Sequence, residues 1–521
     1  MDPSITAQEK RIGRFKQMSK LTIRKFLIGT GVFIGFSSFA FTSQALAQED
    51  DDTADALDSI EIEEITVTGT RIKRAGVDTF YPAISVGTEE LEDGAFTNIA
   101  DALNEIPSFG NPDATPFGAQ NAFSVGQIFV YFLSLDSQRP LTLVNGRRFV
   151  SANTPSIFGE SGGLQVDFNV IPVALVERIE TIGVGGAPIY GSDAIAGTIN
   201  IILKDRFEGM QVSLRHGVTG EGDGDFQEVS LVAGANFSDD RGNVTLSMES
   251  FRQDGLLRNS RPRYTANDPF WGSDEDRDPN DPNTIQVRRI YRDQRINLFT
   301  NGGLIDPNAF TIPSFGIGAM SDGNFYQFDR NSNLVPYTPG TDYPGSAFFA
   351  LGGDGPDFFD NVAQIQSPLN REVFTARMNY DITDRVTFSS DVLFANTWAD
   401  ELVNQGGFQT WVFGGTSGAL EFPINHPFLH PDAQALLAGL PGGEQTFFLH
   451  RFNNDVIDSS NSREQFLWHV TAGLEGDFDV GDRNFFWSIN ATHGESDGET
   501  KREGIIDGRS LNAIDVTRQQ A

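Results

Sequence analysis

The sequence predicts an α+β domain followed by an all-β antiparallel transmembrane β-barrel. Three observations predict it. Segments of apolar–polar alternation, about ten residues each, fill the chain beyond Arg206. Long and short connections alternate between those segments. After the amino terminus no run of ~18 apolar residues occurs, so a membrane-embedded chain must cross with strands. Composition narrows the class further. The 521 residues include 54 Gly, 44 Phe and no Cys, with a formal charge of −33. Without Cys there is no disulfide framework, thiolate metal site or Cys nucleophile. The acidic balance argues against nonspecific nucleic-acid binding, which rests on Lys and Arg against phosphates.

The amino terminus reads as an address. Met1 to Lys25 hold seven bases against Asp2 and Glu9. A mostly apolar run, Phe26 to Phe41, and Ala45-Leu46-Ala47 follow. Basic, apolar and A-x-A regions in that order mark a secretory signal peptide over residues 1–47. Its removal leaves the mature chain at −38. Residues 48–69 form an acidic linker with nine acids and no base up to Glu64, then the β-prone Ile65-Thr66-Val67-Thr68-Gly69. An extended segment on a flexible leash can add a strand to another protein's sheet; the alternative is the first strand of the next domain.

Residues 70–206 read as the α+β domain. Phe80 to Val86 is a candidate strand. Thr97 is placed to cap a helix carrying Ile99, Ala100, Leu103 and Ile106, which Pro107 stops. Leu141 to Val144, Asn145-Gly146 and Arg147 to Val150 spell a hairpin, because Asn-Gly tolerates positive φ. Pro172 begins a short helix, and Ile179 to Val184 and Thr198 to Lys204 are strands.

Residues 207–521 carry seven candidate strands. Their one-sided apolar sets run from Met210 to Val218, Val229 to Phe237, Val244 to Met248, Phe374 to Ile382, Val386 to Trp398, Phe466 to Phe478 and Phe485 to Ala491. A soluble sandwich alternates too, so the connections matter more. Short turns fall at Ser238 to Gly242, Thr383-Asp384 and Asp479 to Asp482. Two very long connections, Gln253–Asn370 and Ala399–Arg463, fall between them. Membrane barrels segregate loops by parity in this way, whereas soluble domains have no reason to.

These motifs, in this order, resemble the amino-terminal part of a TonB-dependent outer-membrane receptor. Glu64 to Gly69 resembles the TonB box, and Asn98 to Leu103 an early helix of the plug domain. Leu141 to Arg148 resembles the plug's central hairpin. Val176-Glu177-Arg178-Ile179-Glu180, then Ile189-Tyr190-Gly191-Ser192-Asp193-Ala194-Ile195-Ala196-Gly197-Thr198, is the most specific stretch. The resemblance implies an α+β plug inside a barrel typically of 22 strands. It also implies the outer membrane of a Gram-negative bacterium, a monomer contacting outer-membrane lipid, and import of a scarce solute. The partner would be TonB with ExbB–ExbD, pairing with Ile65 to Gly69. No enzyme activity, catalytic residue, metal or cofactor is expected. Asn145, Gly146, Arg147, Arg148, Glu177, Arg178, Tyr190, Gly191, Ser192, Asp193 and Gly197 form the plug motif. Both Arg147-Arg148 and Glu177-Arg178 are candidates for bonds to barrel-wall carboxylates. The Ala187-Pro188 pair and Tyr131 depart from the usual plug pattern. Seven strands cannot close a single-chain bacterial barrel, and the sequence ends Arg518-Gln519-Gln520-Ala521, so a carboxy-terminally truncated fragment is expected.

Other motifs carry less. Gly159-Glu160-Ser161-Gly162-Gly163 fits G-x-S-x-G, but its flanks read as loop. Gly186 to Ser192 lacks a phosphate-loop Lys. Asp274 to Asp278 is followed by Pro279, where a calcium loop needs Gly. His426 and His430 read as a solvated loop pair broken by prolines, with contact to a metal-loaded ligand as the alternative. Residues 301–370 and 400–462 each hold seven acids and one Arg, amid many aromatics. Such a mouth disfavours a polyanionic ferric complex and suits a neutral or cationic solute, such as a glycan or peptide. The alternative function is an outer-membrane structural or adhesive β-protein without active transport.

Overall fold

The computed structural model describes residues 83–94, 96–114, 125–133, 135, 137–152, 164–183, 187–257, 260–262, 270–273, 288–297, 300–307, 319–329, 331–343, 346–356, 364–402, 407–408, 420–443, 445–452, 460–481 and 483–503. All of these fall in one compact unit, Glu63–Ala521. The signal peptide, the linker, Ile65 to Gly69, Gly159 to Gly163 and Asp274 to Pro279 lie outside the described residues.

A five-stranded sheet centres the first domain. Its strands are β1 (Ala83–Gly87), β4 (Leu141–Val144), β5 (Arg147–Arg148), β6 (Val176–Ile182) and β7 (Thr198–Leu203), in the order β1-β6-β7-β4-β5. The pairing of β4 with β7 is parallel and the others are antiparallel. Strands β2 (Phe109–Ala114) and β3 (Phe129–Phe132) form a separate pair that the sequence pattern did not reveal. Two helices pack into the domain: α1 (Thr88–Asp93), also unforeseen, against β1 and β6, and α2 (Ile99–Asn104) against β2 and β3. The cap of α2 is Asn98, not the expected Thr97; Asn98 Oδ1 accepts from Asp101 N at 2.9 Å. A short amide reaches that backbone N–H from one residue later in the chain. Ile99, Leu103, Val170, Ile179, Ile199 and Ile201 are buried in the core.

The second part is a seven-stranded antiparallel sheet. Its strands are β8 (Gly209–Gly217), β9 (Phe226–Phe237), β10 (Gly242–Gln253), β11 (Leu369–Thr383), β12 (Val386–Leu402), β13 (Ser460–Val480) and β14 (Arg483–Glu503). Each pairs with its neighbours in sequence order. Every alternating segment read from the sequence lies in one of these strands, except that Val218 falls one residue beyond β8. The last two are longer than read, because the backbone ladder of β13 and β14 continues through polar residues past the apolar belt, as far as Ser460↔Glu503. The short β9–β10 turn places Ser238, Asp239 and Asp240 all at positive φ.

The long connections are not structureless. They contain further short strands, including Leu304–Asp306, Phe325–Phe328, Leu334–Tyr337, Leu420–Pro423 and Thr446–Phe452, and a helix, Pro431–Leu437. Strands of three to seven residues are too short to display a period.

The sheet is inverted relative to a soluble sandwich. One face of β8 to β11 exposes Met210, Leu214, Val229 and Met248. The opposite face buries Glu228, Asn243, Glu249, Arg371, Arg377 and Arg463 against the first domain. Apolar-out, polar-in is the pattern of a membrane barrel wall.

Candidate functional site

The hairpin between β4 and β5 organises the site. Asn145 (φ 50°) and Gly146 (φ 73°) form the expected turn with both residues at positive φ. The turn is braced to β7: Gly146 N donates to Asn200 Oδ1 at 2.9 Å, and Leu203 N donates to Asn145 Oδ1 at 3.0 Å. This aims Arg147 and Arg148 in different directions. Arg147 donates to Ser389 Oγ at 2.9 Å and Thr471 Oγ1 at 3.1 Å on β12 and β13, and its guanidinium lies 3.6 Å from Asp391. Arg148 turns back to Asp193 and to the carbonyl of Tyr190.

The four basic and acidic candidates therefore do different work. Arg147 meets a wall carboxylate. Arg148 instead ties the hairpin to the Tyr190 to Asp193 segment. Arg178 pairs along its own strand with Glu177 at 2.6 Å and Glu180 at 2.9 Å, so the expected wall contact of Glu177-Arg178 is replaced by a local pair. Residues on one strand meet without any loop-closure cost, which favours the local partner.

The Tyr190 to Gly197 segment is shaped by backbone constraints. Ala187–Tyr190 is a short helix and Ser192–Ala194 a 3₁₀ turn, joined by Gly191 at φ 88°. Gly197 (φ 121°) passes so close to β6 that a Cβ there would collide with the Ile182 carbonyl and sit 2.6 Å from the Phe132 ring. Tyr190 packs against Leu141, Leu143 and Ala194.

The strongest ties to the wall come from residues the sequence motifs did not include. Arg371 on β11 is buried; it donates to Glu249 at 2.8 Å, to the Thr97 carbonyl at 2.9 Å and to Asn169 at 3.3 Å. Its guanidinium also lies 4.6 Å from the Phe251 ring centroid. Arg377 donates to the carbonyls of Leu203 and Lys204 at 2.8 and 2.7 Å and pairs with Asp391 at 2.8 Å. Gln127 donates to Gln465 at 2.8 Å. A signal existed: Arg371 and Arg377 lie on the polar face of an alternating strand, where a charge needs a buried partner.

Asp167 sits beneath this interface, fully buried. Its Oδ1 accepts from the backbone of Ile128 at 3.1 Å and Asn169 at 3.0 Å, while Oδ2 has no partner. Burial pushes its carboxyl up to about 6, against those hydrogen bonds and the attraction of Arg463 and Arg371. Burial likewise raises Asp101.

Other candidates separate. His426 is buried between Phe422 and Phe428, and its Nδ1 accepts from Phe428 N at 3.3 Å. His430 caps the helix Pro431–Leu437, which Pro431 starts rather than breaks. His426 is thus buried, whereas His430 is exposed to solvent as expected. Among the described residues no group of three or more His, Asp or Glu is arranged to hold a metal.

An α+β domain tied by arginines to the polar face of an antiparallel sheet, whose other face is apolar, has the arrangement of a plugged barrel. Residues 77–198 match the family model described as TonB-dependent Receptor Plug Domain. Residues 77–198 therefore form a domain of that plug family. Among curated proteins it is similar to the vitamin B12 transporter BtuB of Vibrio vulnificus, 30% identical over 171 residues, which cover 32% of this chain and 25% of the relative. It is also similar to BtuB of Photobacterium profundum, 29% identical over 223 residues, covering 42% and 32%. The matched stretch thus spans about a quarter to a third of these relatives' length. Among solved structures it is similar to the unliganded ferric citrate transporter FecA, at 10% identity and TM-score 0.36, covering 81% of this chain and 48% of that one. It is similar too to the siderophore receptor PirA from Pseudomonas aeruginosa, at 10% identity and TM-score 0.33, covering 81% and 52%. These relatives are transporters and receptors rather than enzymes.

Proposed function

We propose that this chain is part of an energy-coupled outer-membrane receptor that imports a scarce solute into the periplasm of a Gram-negative bacterium. The observation that carries the reading is the inverted sheet: its polar face is filled by the plug domain and its apolar face is left open. A large exposed apolar surface is a liability in water and an advantage in lipid. The sheet is read as an arc of a closed barrel, typically of 22 strands in this family, because strands in lipid need closure. Here β8 and β14 are the outer strands of the sheet, and strand edges left exposed aggregate.

In this reading residues 1–47 are the signal peptide, 48–69 the leash and TonB box, 70–206 the plug and 207–521 barrel wall with external loops. Solute binds on the outer side and the plug blocks the lumen. The box, Ile65 to Gly69, adds as a strand to TonB, which ExbB–ExbD energises. Force pulled through the leash enters the plug sheet, and the arginine contacts to the wall set its resistance. Asn145, Gly146, Arg147, Arg148, Tyr190, Gly191, Ser192, Asp193 and Gly197 hold the hairpin and wall contact, while Glu177 and Arg178 stiffen the strand behind them. The receptor acts as a monomer.

Deleting Ile65–Gly69 from the receptor tests the reading. Energised uptake is expected to disappear while solute binding at the cell surface is retained. Uptake that survives the deletion would exclude energy coupling through this segment. An adhesive protein without transport predicts no uptake with or without it.

A further inference from the structure

The polar face of the wall carries an apolar row. Val373 on β11 stands directly opposite Ala395 on β12, and Ala395 stands opposite Leu467 on β13. Leu393 follows on the same face of β12, and Val232 of β9 joins them. All five are buried. The next inward positions on one side are Arg371 and Gln465; on the other, past Leu393, they are the paired Arg377 and Asp391. The interior of a membrane barrel is ordinarily polar at such positions, so these side chains answer to something other than water.

The plug covers them. The row shares one buried cluster with Phe149, Phe168 and Val170 of the plug. Phe168–Val170 and Val173–Leu175 are single 3₁₀ turns; the first packs on β11 and β12, the second on β9. At β13 Phe149 meets the His469 ring, with centroids 4.6 Å apart. At β14 Val150 approaches Gly494, where an added Cβ would lie 3.0 Å from the Val150 Cβ. The joint between plug and wall therefore has two parts. One is the set of hydrogen-bonded ties at Arg147, Arg371, Arg377 and Gln127. The other is this apolar seam between them.

We propose that the seam stays shut throughout transport, so that the plug rearranges about it and the solute passes along another part of the plug's perimeter. This rests on the import reading and adds which part of the joint is fixed. The two kinds of contact yield differently. When an ionic tie opens, water rehydrates the guanidinium and its partner and returns much of what the bond was worth. Water offers an apolar surface no such exchange, and parting the seam wets its whole area. Its packed atoms also lose their dispersion contacts over the first ångström of separation. The Arg147 tie is already partly solvated: the Arg147 and Asp391 side chains keep 15% and 12% of their surface exposed. Leu467 keeps none. Arg147 therefore gives way before the plug lifts from the Val373–Ala395–Leu467 row.

The sequence has no Cys, so single cysteines serve as reporters in a receptor carrying this chain and otherwise free of Cys. Val373→Cys and Ala395→Cys sit in the seam. Thr471→Cys sits beneath Arg147, which bonds the buried Thr471. Intact cells, energised or with the proton gradient collapsed, are treated with a membrane-impermeant maleimide. Energised cells are expected to label Thr471→Cys about tenfold faster, because labelling follows the open population. Both seam cysteines are expected to stay unlabelled in either state and to react once the receptor is unfolded in urea. Heat-modifiable migration checks that each variant is folded, and two seam positions guard against one failing. Energy-dependent labelling of either seam cysteine overturns the inference. Protection of all three also overturns it, because nothing then moves about a fixed seam. The import reading fails separately: faster labelling of Thr471→Cys that survives deletion of Ile65–Gly69 removes coupling through the box and leaves the seam standing.

Discussion

Two glycines of the plug show how much a single position decides. Both Gly146 and Gly197 have positive φ, but only at Gly197 would an added Cβ meet backbone and ring atoms within 3 Å. Gly146→Ala is expected to cost ~1 kcal/mol, the left-handed penalty alone. Gly197→Ala adds overpacking and is expected to cost at least ~2 kcal/mol more. Urea unfolding of the two variants checks the order, and equal losses would contradict it. Arg371 decides at the same scale. Its replacement by Met strands Glu249 in a buried site, an expected loss of ~3–5 kcal/mol. Replacing Glu249 as well is expected to recover much of it, because the uncompensated charge goes too. The Asn-Gly turn was legible because its cause is local. Asp391, Glu249 and the Thr97 carbonyl were not, because each meets its arginine only after distant strands assemble.

At the scale of elements, each segment of period-2 alternation falls on a strand of the long antiparallel sheet. Alternation does not say which face is covered, and here the plug covers the polar one. The connections were misread as loops because Leu304–Asp306 and Thr446–Phe452 are short and apolar without a period. An outward position separates a lipid-facing wall from a soluble one. Met248 on β10 is 51% exposed, between the buried Ser247 and Glu249. In lipid, Met248→Arg is expected to destabilise the receptor by ~2–4 kcal/mol near the midplane. In water the same exposed change falls within ~0.5 kcal/mol. Denaturant titration in lipid vesicles distinguishes them, and a neutral result would count against the membrane assignment.

For the whole molecule, the question is what holds the plug against the wall, and Asp167 reports on it. Its carboxyl touches the plug through Ile128 and Asn169 and faces Arg463 and Arg371 of the wall. While docked it titrates at about 6; solvated, it returns to ~3.9. The docked state therefore holds the proton between these values, where the solvated state has released it. Stability attributable to this group is full below about pH 4, falls as pH rises through 6, and is flat above. The total loss is about 3 kcal/mol, since each pKa unit is ~1.4 kcal/mol. Asp101, raised by burial in the helix that follows Thr97, whose carbonyl Arg371 holds, adds in the same direction. The expected signature is a wild-type plug that resists proteolysis better at pH 5 than at pH 7.5. Asp167→Asn keeps the Oδ1 acceptor and removes the ionisation, so the difference between variant and wild type should grow from pH 4 to 6 and then level. A difference that is constant with pH would mean that Asp167 stays solvated, with the plug loosely seated against the wall. A growing one makes neutral pH the condition under which the plug is easiest to pull free.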